Sequence, residues 1–316
     1  MAEGYVGPHR VDSVRRARFN LLKRSARVNW DLFVGSRIGL VGLGIIVLYA
    51  LMAIAHPLLM ATIWDARTYD PVVGHGFDEI EHPAAPSLSH PLGTDPIGRD
   101  VLSQLMWSAR SEFVLGVVAA VATVVIGTGV GAVSAYFGGV VDAVLMRLAD
   151  LMVMMPLISL LVVISALQGV GHIELALIIA VLSGFGATGI VLKSQALSVT
   201  VKPYMEAARA AGGGHLHVIA VHLVPNLLPL SFLYMMFTVT AAIFSETVLA
   251  FLGLLDVRMS WGIMIHTTES AGYLLQLDDY WWLVLPAGLS ITLLCSSFYL
   301  VGRAMDEIVN PRLRRS

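Results

Sequence analysis

Residues 38–59 read IGLVGLGIIVLYALMAIAHPLL, with no Asp, Glu, Lys or Arg among them. An α-helix rises about 1.5 Å per residue and the hydrocarbon core of a bilayer is about 30 Å thick, so roughly 20 apolar residues in helical form cross it. This stretch is long enough to do so. Five further segments meet the same requirement, at about 113–137, 144–167, 173–192, 223–252 and 281–301. The chain as a whole agrees: 57% of its 316 residues are hydrophobic and 13% are charged, about half the charged share of a typical soluble domain. Too few polar side chains exist to cover a water-exposed surface, and lipid is the solvent that removes the deficit. The fold expected is an all-α membrane protein with six transmembrane helices.

Basic residues in the connections set the orientation. With six spans both termini share one side. That side receives the eight basic residues from Arg10 to Arg37, together with Lys193, Lys202, Arg209, Arg303, Arg312, Arg314 and Arg315; the other receives Arg67, Arg99, Arg110 and Arg258. Both termini and the 193–222 loop are therefore expected in the cytoplasm. The organisation follows: a tail over 1–37, a first span over 38–59, an external loop over 60–112, a membrane core over 113–302 that includes the 193–222 loop, and a tail over 303–316. Segment 14–34 mixes Arg and Lys with Val14, Phe19, Leu22 and Phe33, which suits either an interfacial amphipathic helix or a disordered basic tail.

The net charge is close to balanced, so nothing points to nucleic acid. Cys295 is the single cysteine and cannot close an internal disulfide. The basic amino-terminal stretch is too long, and the apolar run after it lacks a small-residue cleavage site, for a secretory signal peptide. Gly184-Phe185-Gly186-Ala187-Thr188-Gly189 fits GxGxxG but lies inside an apolar span with no strand before it, so the glycines read as contact points for close helix packing. Gly127, Gly129 and Gly131 read the same way. Gly-Lys occurs nowhere, which excludes a standard P-loop, and HExxH is absent. His215, His217 and His222 lack the spacing and the companion ligands of a metal site, and no metal is expected.

The stretch from Lys202 to Gly214, KPYMEAARAAGGG, holds the most chemical information. Pro203 suits the first helical position, Glu206 the first turn, the alanines the interior, and the glycine triplet a left-handed stop. A helix of two or three turns is marginal alone, so it docks either on its own bundle or on a partner. Arg147 and Asp150, three apart near the start of the third span, can share a helix face; they serve a structural or subunit-interface role or a gating role. Glu246, inside the fifth span, serves either a hydrogen-bonded structural role or the substrate path, since an ionisable group at that depth is costly.

Glu206-Ala207-Ala208, then Gly212, then His222-Leu223-Val224-Pro225-Asn226 resembles the EAA loop of bacterial ABC importer permeases. His90-Pro91-Leu92-Gly93-Thr94-Asp95 and Gly98-Arg99-Asp100-Val101-Leu102-Ser103 resemble the external signature of the oligopeptide, dipeptide and nickel group. Gly138-Gly139, Asp142, Met146-Arg147, Asp150 and Pro156 are similar to that group's third span. Ser245-Glu246-Thr247, Phe251-Leu252-Gly253 and Ser260-Trp261-Gly262 are similar to the end of its fifth span and the next loop, and Asp306 with Asn310-Pro311-Arg312 to its tail. The likeness runs over about 34–312. It implies the type I ABC importer permease fold, with a cytoplasmic coupling helix whose contacts with an ATPase involve Tyr204, Glu206, Ala207, Ala208, Gly212, His222 and Pro225. Gly93, Thr94, Asp95, Gly98, Arg99 and Asp100 would form the external signature. The implied partners are a homologous permease subunit in a heterodimer, two cytoplasmic ATPase subunits that carry the ATP and Mg, and an external or periplasmic solute-binding protein. The implied place is a bacterial or archaeal cytoplasmic membrane, with no cofactor and no catalytic residue on this chain. Short peptides are the expected cargo, oligosaccharides or nickel chelates the alternatives. A stand-alone secondary transporter and an intramembrane enzyme are the rival classes.

Overall fold

The computed structural model describes residues 30–75 and 81–309. Of the segment 14–34 only its last turn falls within them, and residues 30–34 are helical there; Asn310-Pro311-Arg312 lie outside. Among the described residues every element is helical. In chain order they are α1 (Arg37–Thr62), α2 (Val101–Phe137), α3 (Gly139–Met154), α4 (Leu157–Gln168), α5 (His172–Ser183), α6 (Gly189–Thr200), α7 (Pro203–Ala210), α8 (His215–Val218), α9 (Val224–Phe251), α10 (Trp261–Ser270) and α11 (Leu285–Val309). A π-helical segment, Gly184–Thr188, joins α5 to α6, and another, Ile219–Leu223, joins α8 to α9.

Five of the resulting rods are long and apolar enough to cross a bilayer: α1, α2, α5–α6, α8–α9 and α11. A sixth apolar stretch is a bent pair of helices. The expected continuous span over 144–167 divides into α3 and α4, bent by 81°. Pro156 is the cause: its ring disfavours helical backbone at the residue before it, and Met155 is extended at φ −77°, ψ 122°. Other boundaries also move. Helix α2 begins at Val101, so residues 101–112 belong to a helix and not to the loop expected over 60–112. Likewise α6 runs to Thr200, and the non-spanning part of the 193–222 connection shrinks to about 201–214.

Helix α2 is the hub of the bundle, packed against α1, α5, α6 and α9. In lipid there is little hydrophobic drive for helices to associate, so close backbone approach through small residues has to supply the contact. A β-carbon on Gly116 would lie 2.7 Å from Val239 Cγ1, one on Gly127 2.8 Å from Thr188 Cγ2, and one on Gly131 2.7 Å from the Lys193 amide nitrogen. From the α5–α6 rod a β-carbon on Gly184 would meet Ile126 of α2 at 2.9 Å, and one on Gly189 would meet Val130 of α2 at 3.2 Å. The GxGxxG run is thus a helix-contact surface, as its placement in a span implies. Helix α1 is the outlier: it buries only Gly39, Gly42, Tyr49 and His56, chiefly against α11. Gly129 faces open space instead, with nothing within 4 Å of its β-position.

These contacts separate two glycines on one helix. Gly131→Leu would push into the α6 backbone and cost about 1–3 kcal/mol or more, while Gly129→Ala would gain up to about 1 kcal/mol of helix propensity. Thermal unfolding of the purified protein in detergent should show a lowered midpoint for Gly131→Leu and an unchanged or raised one for Gly129→Ala.

Candidate functional site

The segment around α7 is built by its own sequence. Lys202 is extended, Pro203 opens the helix and Glu206 sits in the first turn. At the far end Gly212 takes φ +82°. Its amide donates to the Arg209 carbonyl at 3.0 Å, and that of Gly213 to the Ala208 carbonyl at 3.2 Å. This is the paired bonding of a Schellman stop, which glycine enters without steric penalty. One face of α7 is seated: Met205 is fully buried in a cluster with Ala132, Ala196, Val199, Val218, Leu223 and Leu227, and Ala208 packs at its edge. The opposite face is open, with Tyr204, Glu206 and Ala207 exposed. The helix therefore docks on its own bundle and also presents a free polar and small-residue face.

His222 and Pro225 do not join that face. His222 lies in the π segment, with its ring 6.1 Å from that of His217, and its carbonyl accepts from Asn226 Nδ2 at 2.7 Å; Pro225 opens α9. Met205 escaped the sequence reading, although it is the one long aliphatic side chain in PYMEAARA. At the same end Ser134 donates to Asp142, which also pairs with Lys193, tying α2, α3 and α6 together. Arg147 and Asp150 are both exposed on α3 and form no ion pair with each other among the described residues. The ion pair on α3 is instead that of Asp142 with Lys193 of α6, one to two turns earlier.

At the opposite end of α2 the signature residues form a buried knot. Gly93 and Gly98 take φ +75° and +77°, which makes room for two tight turns. Asp95 Oδ1 accepts from the Ile97 and Arg99 amides at 3.0 and 2.8 Å. Its Oδ2 accepts from Arg99 Nε at 2.6 Å and from Gln104 Nε2 at 3.0 Å. Arg99 Nη2 reaches on to Thr267 Oγ1 of α10 at 3.1 Å. Asp100 caps α2, accepting from the Ser103 amide at 2.7 Å, and meets His90 Nδ1 at 2.9 Å. Burial pushes the Asp100 carboxyl above its ordinary value, against the opposing pull of Ser103 and His90. Thr94 Oγ1 accepts from the Ala84 amide at 2.8 Å, and the Thr94 carbonyl from Trp282 Nε1 at 3.2 Å. Four separate parts of the chain are locked into one platform.

Between the two ends lies a third feature. Glu246 of α9 is fully buried and lies against Glu112 of α2, also fully buried; the closer oxygen of Glu246 is 3.6 Å from His172 Nε2 at the start of α5. Glu246 therefore faces the bundle interior. Glu112 was assigned to a loop on hydropathy, because Arg110, Ser111 and Glu112 together end the apolar run; only the helix extension brings it inside.

Residues 124–315 match the family model described as "Binding-protein-dependent transport system inner membrane component". Over 310 residues the chain is 29% identical to the dipeptide transport system permease protein DppC of Bacillus subtilis (strain 168), covering 96% of this chain and 90% of that protein. It is 32% identical over 287 residues to the oligopeptide transport system permease protein OppC of the same organism, covering 90% and 88%. A third relative, the dipeptide permease DppC of Haemophilus influenzae, is 27% identical over 289 residues, covering 90% and 94%. With its glycine-packed bundle of spanning helices and a matched region longer than half its length, the chain belongs to the family of binding-protein-dependent transport system inner membrane components.

Proposed function

We propose that this chain is one of two homologous permease subunits of an ATP-driven importer of short peptides, and that α7 is its coupling helix. The observation that carries this reading is the two-sided seat of α7: Met205 anchors it to the bundle while Tyr204, Glu206 and Ala207 face outward. A rigid short helix that projects a free face is suited to sit in a groove of another polypeptide. The excess of basic residues on the α7 side supports a cytoplasmic location for that face and for both termini. ATP and Mg belong to the two partner ATPases, since this chain has no phosphate-cradling loop. Peptide cargo is supported by the names of the relatives, which are dipeptide and oligopeptide permeases.

In this scheme ATP binding draws the two ATPases together and moves α7 with them. The passage between the two permeases changes from facing inward to facing outward, and hydrolysis resets it. The free energy comes from differential binding to two arrangements of the bundle, as any such switch requires. The exposed part of the 84–100 segment, held in shape by the buried Asp95–Arg99–Thr267 knot, is the surface offered to an external solute-binding protein that delivers the cargo.

Two sets of variants test this. Gly212→Asp forces a β-carbon into a left-handed position, and Glu206→Lys reverses the charge of the exposed face. Both should insert normally and keep ATP hydrolysis while peptide import falls to background; normal import by both rejects the coupling role of α7. Arg99→Ala strands Asp95 in a buried site at about 3–5 kcal/mol. It should abolish stimulation by the solute-binding protein and open the 84–100 segment to protease, whereas Thr267→Val removes one bond and should keep both near normal. Unchanged stimulation and protection in Arg99→Ala would reject the platform as the docking surface.

A further inference from the structure

Tyr136 stands in the last turn of α2, at the point where three elements meet. Its ring lies 4.8 Å from the guanidinium carbon of Arg209, in the last turn of α7. Its hydroxyl is 3.1 Å from Nδ1 of His215, the first residue of α8. The His215 ring packs edge-on against it at 5.7 Å and lies tilted against Phe137 at 5.6 Å. One aromatic side chain on α2 thus grips the chain on both sides of the glycine turn. Within that turn Gly212 and Gly214 have nothing within 4 Å of their β-positions, while Gly213 is packed against Ala208 and Val218.

The covalent routes out of α7 are interrupted. Backwards, α6 leads into the π segment Gly184–Thr188, where Gly186 leaves helical geometry at ψ −118°. Forwards, the chain passes the glycine turn and then the π segment Ile219–Leu223. Neither route is a continuous α-helix. Helix α2 has no such break. It runs unbroken from Val101 to Phe137, about 55 Å at 1.5 Å per residue, and its capping residue Asp100 is part of the platform at the other end.

We propose that Tyr136 is the positioning residue that passes movement of the α7 helix to α2, with the cation–π contact to Arg209 as the principal link and the His215 bond as support. Helix α2 then acts as the rod joining the coupling face to the platform. The inference rests on the reading of α7 as the coupling helix.

The test uses the assembled transporter in lipid vesicles and scores peptides imported per ATP hydrolysed. Tyr136→Leu, which removes both contacts, should keep ATP hydrolysis within about twofold and lower the import ratio about tenfold, equivalent to about 1.4 kcal/mol of lost coupling. Tyr136→Phe keeps the ring over Arg209 and should retain most of the ratio. Arg209→Gln, at an exposed position, should reproduce the Leu variant and serves should that variant fail to assemble. Combined with Tyr136→Leu it should add nothing further, as expected for two partners in one contact. A merely structural role would reduce the amount of assembled complex and leave the ratio alone. A wild-type ratio in Tyr136→Leu or Arg209→Gln, or a Phe variant as defective as Leu, overturns the proposal. Cross-linking of Ala207→Cys to the ATPase in otherwise unaltered permease separates the two readings. Without the cross-link the coupling assignment itself fails; with it and an unchanged ratio, only the role of Tyr136 does.

Discussion

Close approach of helix backbones around α2 is the condition on which the rest of this fold depends. Lipid offers apolar helices no gain from leaving it, so association rests on dispersion contacts that decay steeply with distance. Gly116 on α2 lets α9 approach, and Gly127 and Gly131, with Gly184 and Gly189 across from them, bring α2 and the α5–α6 rod close enough for those contacts to count. Ion-paired groups mark the two ends, the Asp142–Lys193 pair near one and the Asp95–Arg99 knot at the other. Between them Glu112 of α2 and Glu246 of α9 are fully buried, with His172 of α5 beside Glu246.

Much of this was legible in the sequence, and the failures have physical causes. Hydropathy finds any segment that lipid must solvate, so the five long rods and the apolar stretch of the bent pair could all be read. It fails where a helix continues beyond the apolar stretch. Residues 101–112 include Ser103, Gln104, Arg110 and Glu112, polar enough to resemble a loop; the helix starts there because Asp100 caps it, and Gln104 Nε2 donates to Asp95 of the platform. The bend at Pro156 was signalled by the proline, but a hydropathy window averages across it. The helix at Pro203 and the stop at Gly212 could be read because proline and glycine act through local sterics alone. By contrast, the burial of Met205 and the grip of Tyr136 depend on which helices pack side by side, and that information is not local.

The two ends of the bundle are built on opposite principles. The platform is over-determined: Asp95 and Asp100 each accept several bonds, and their removal would affect four segments of chain at once. The α7 end is held by one apolar plug and one aromatic grip beside a glycine turn closed by two backbone hydrogen bonds. Stiffness at one end and limited, directed freedom at the other suit a molecule whose two faces meet different partners.

The corner at Met155–Pro156 has a consequence of its own. Breaking a helix in mid-crossing leaves the last carbonyl oxygens of α3 without intrahelical donors. Hydrocarbon cannot satisfy them, so such a corner is tolerated only against protein or in contact with water. Met154 and Pro156 are exposed in the isolated chain. That side of the molecule is therefore not bathed in acyl chains, and the elbow between α3 and α4 marks a wetted or subunit-covered seam running through an otherwise oily surface.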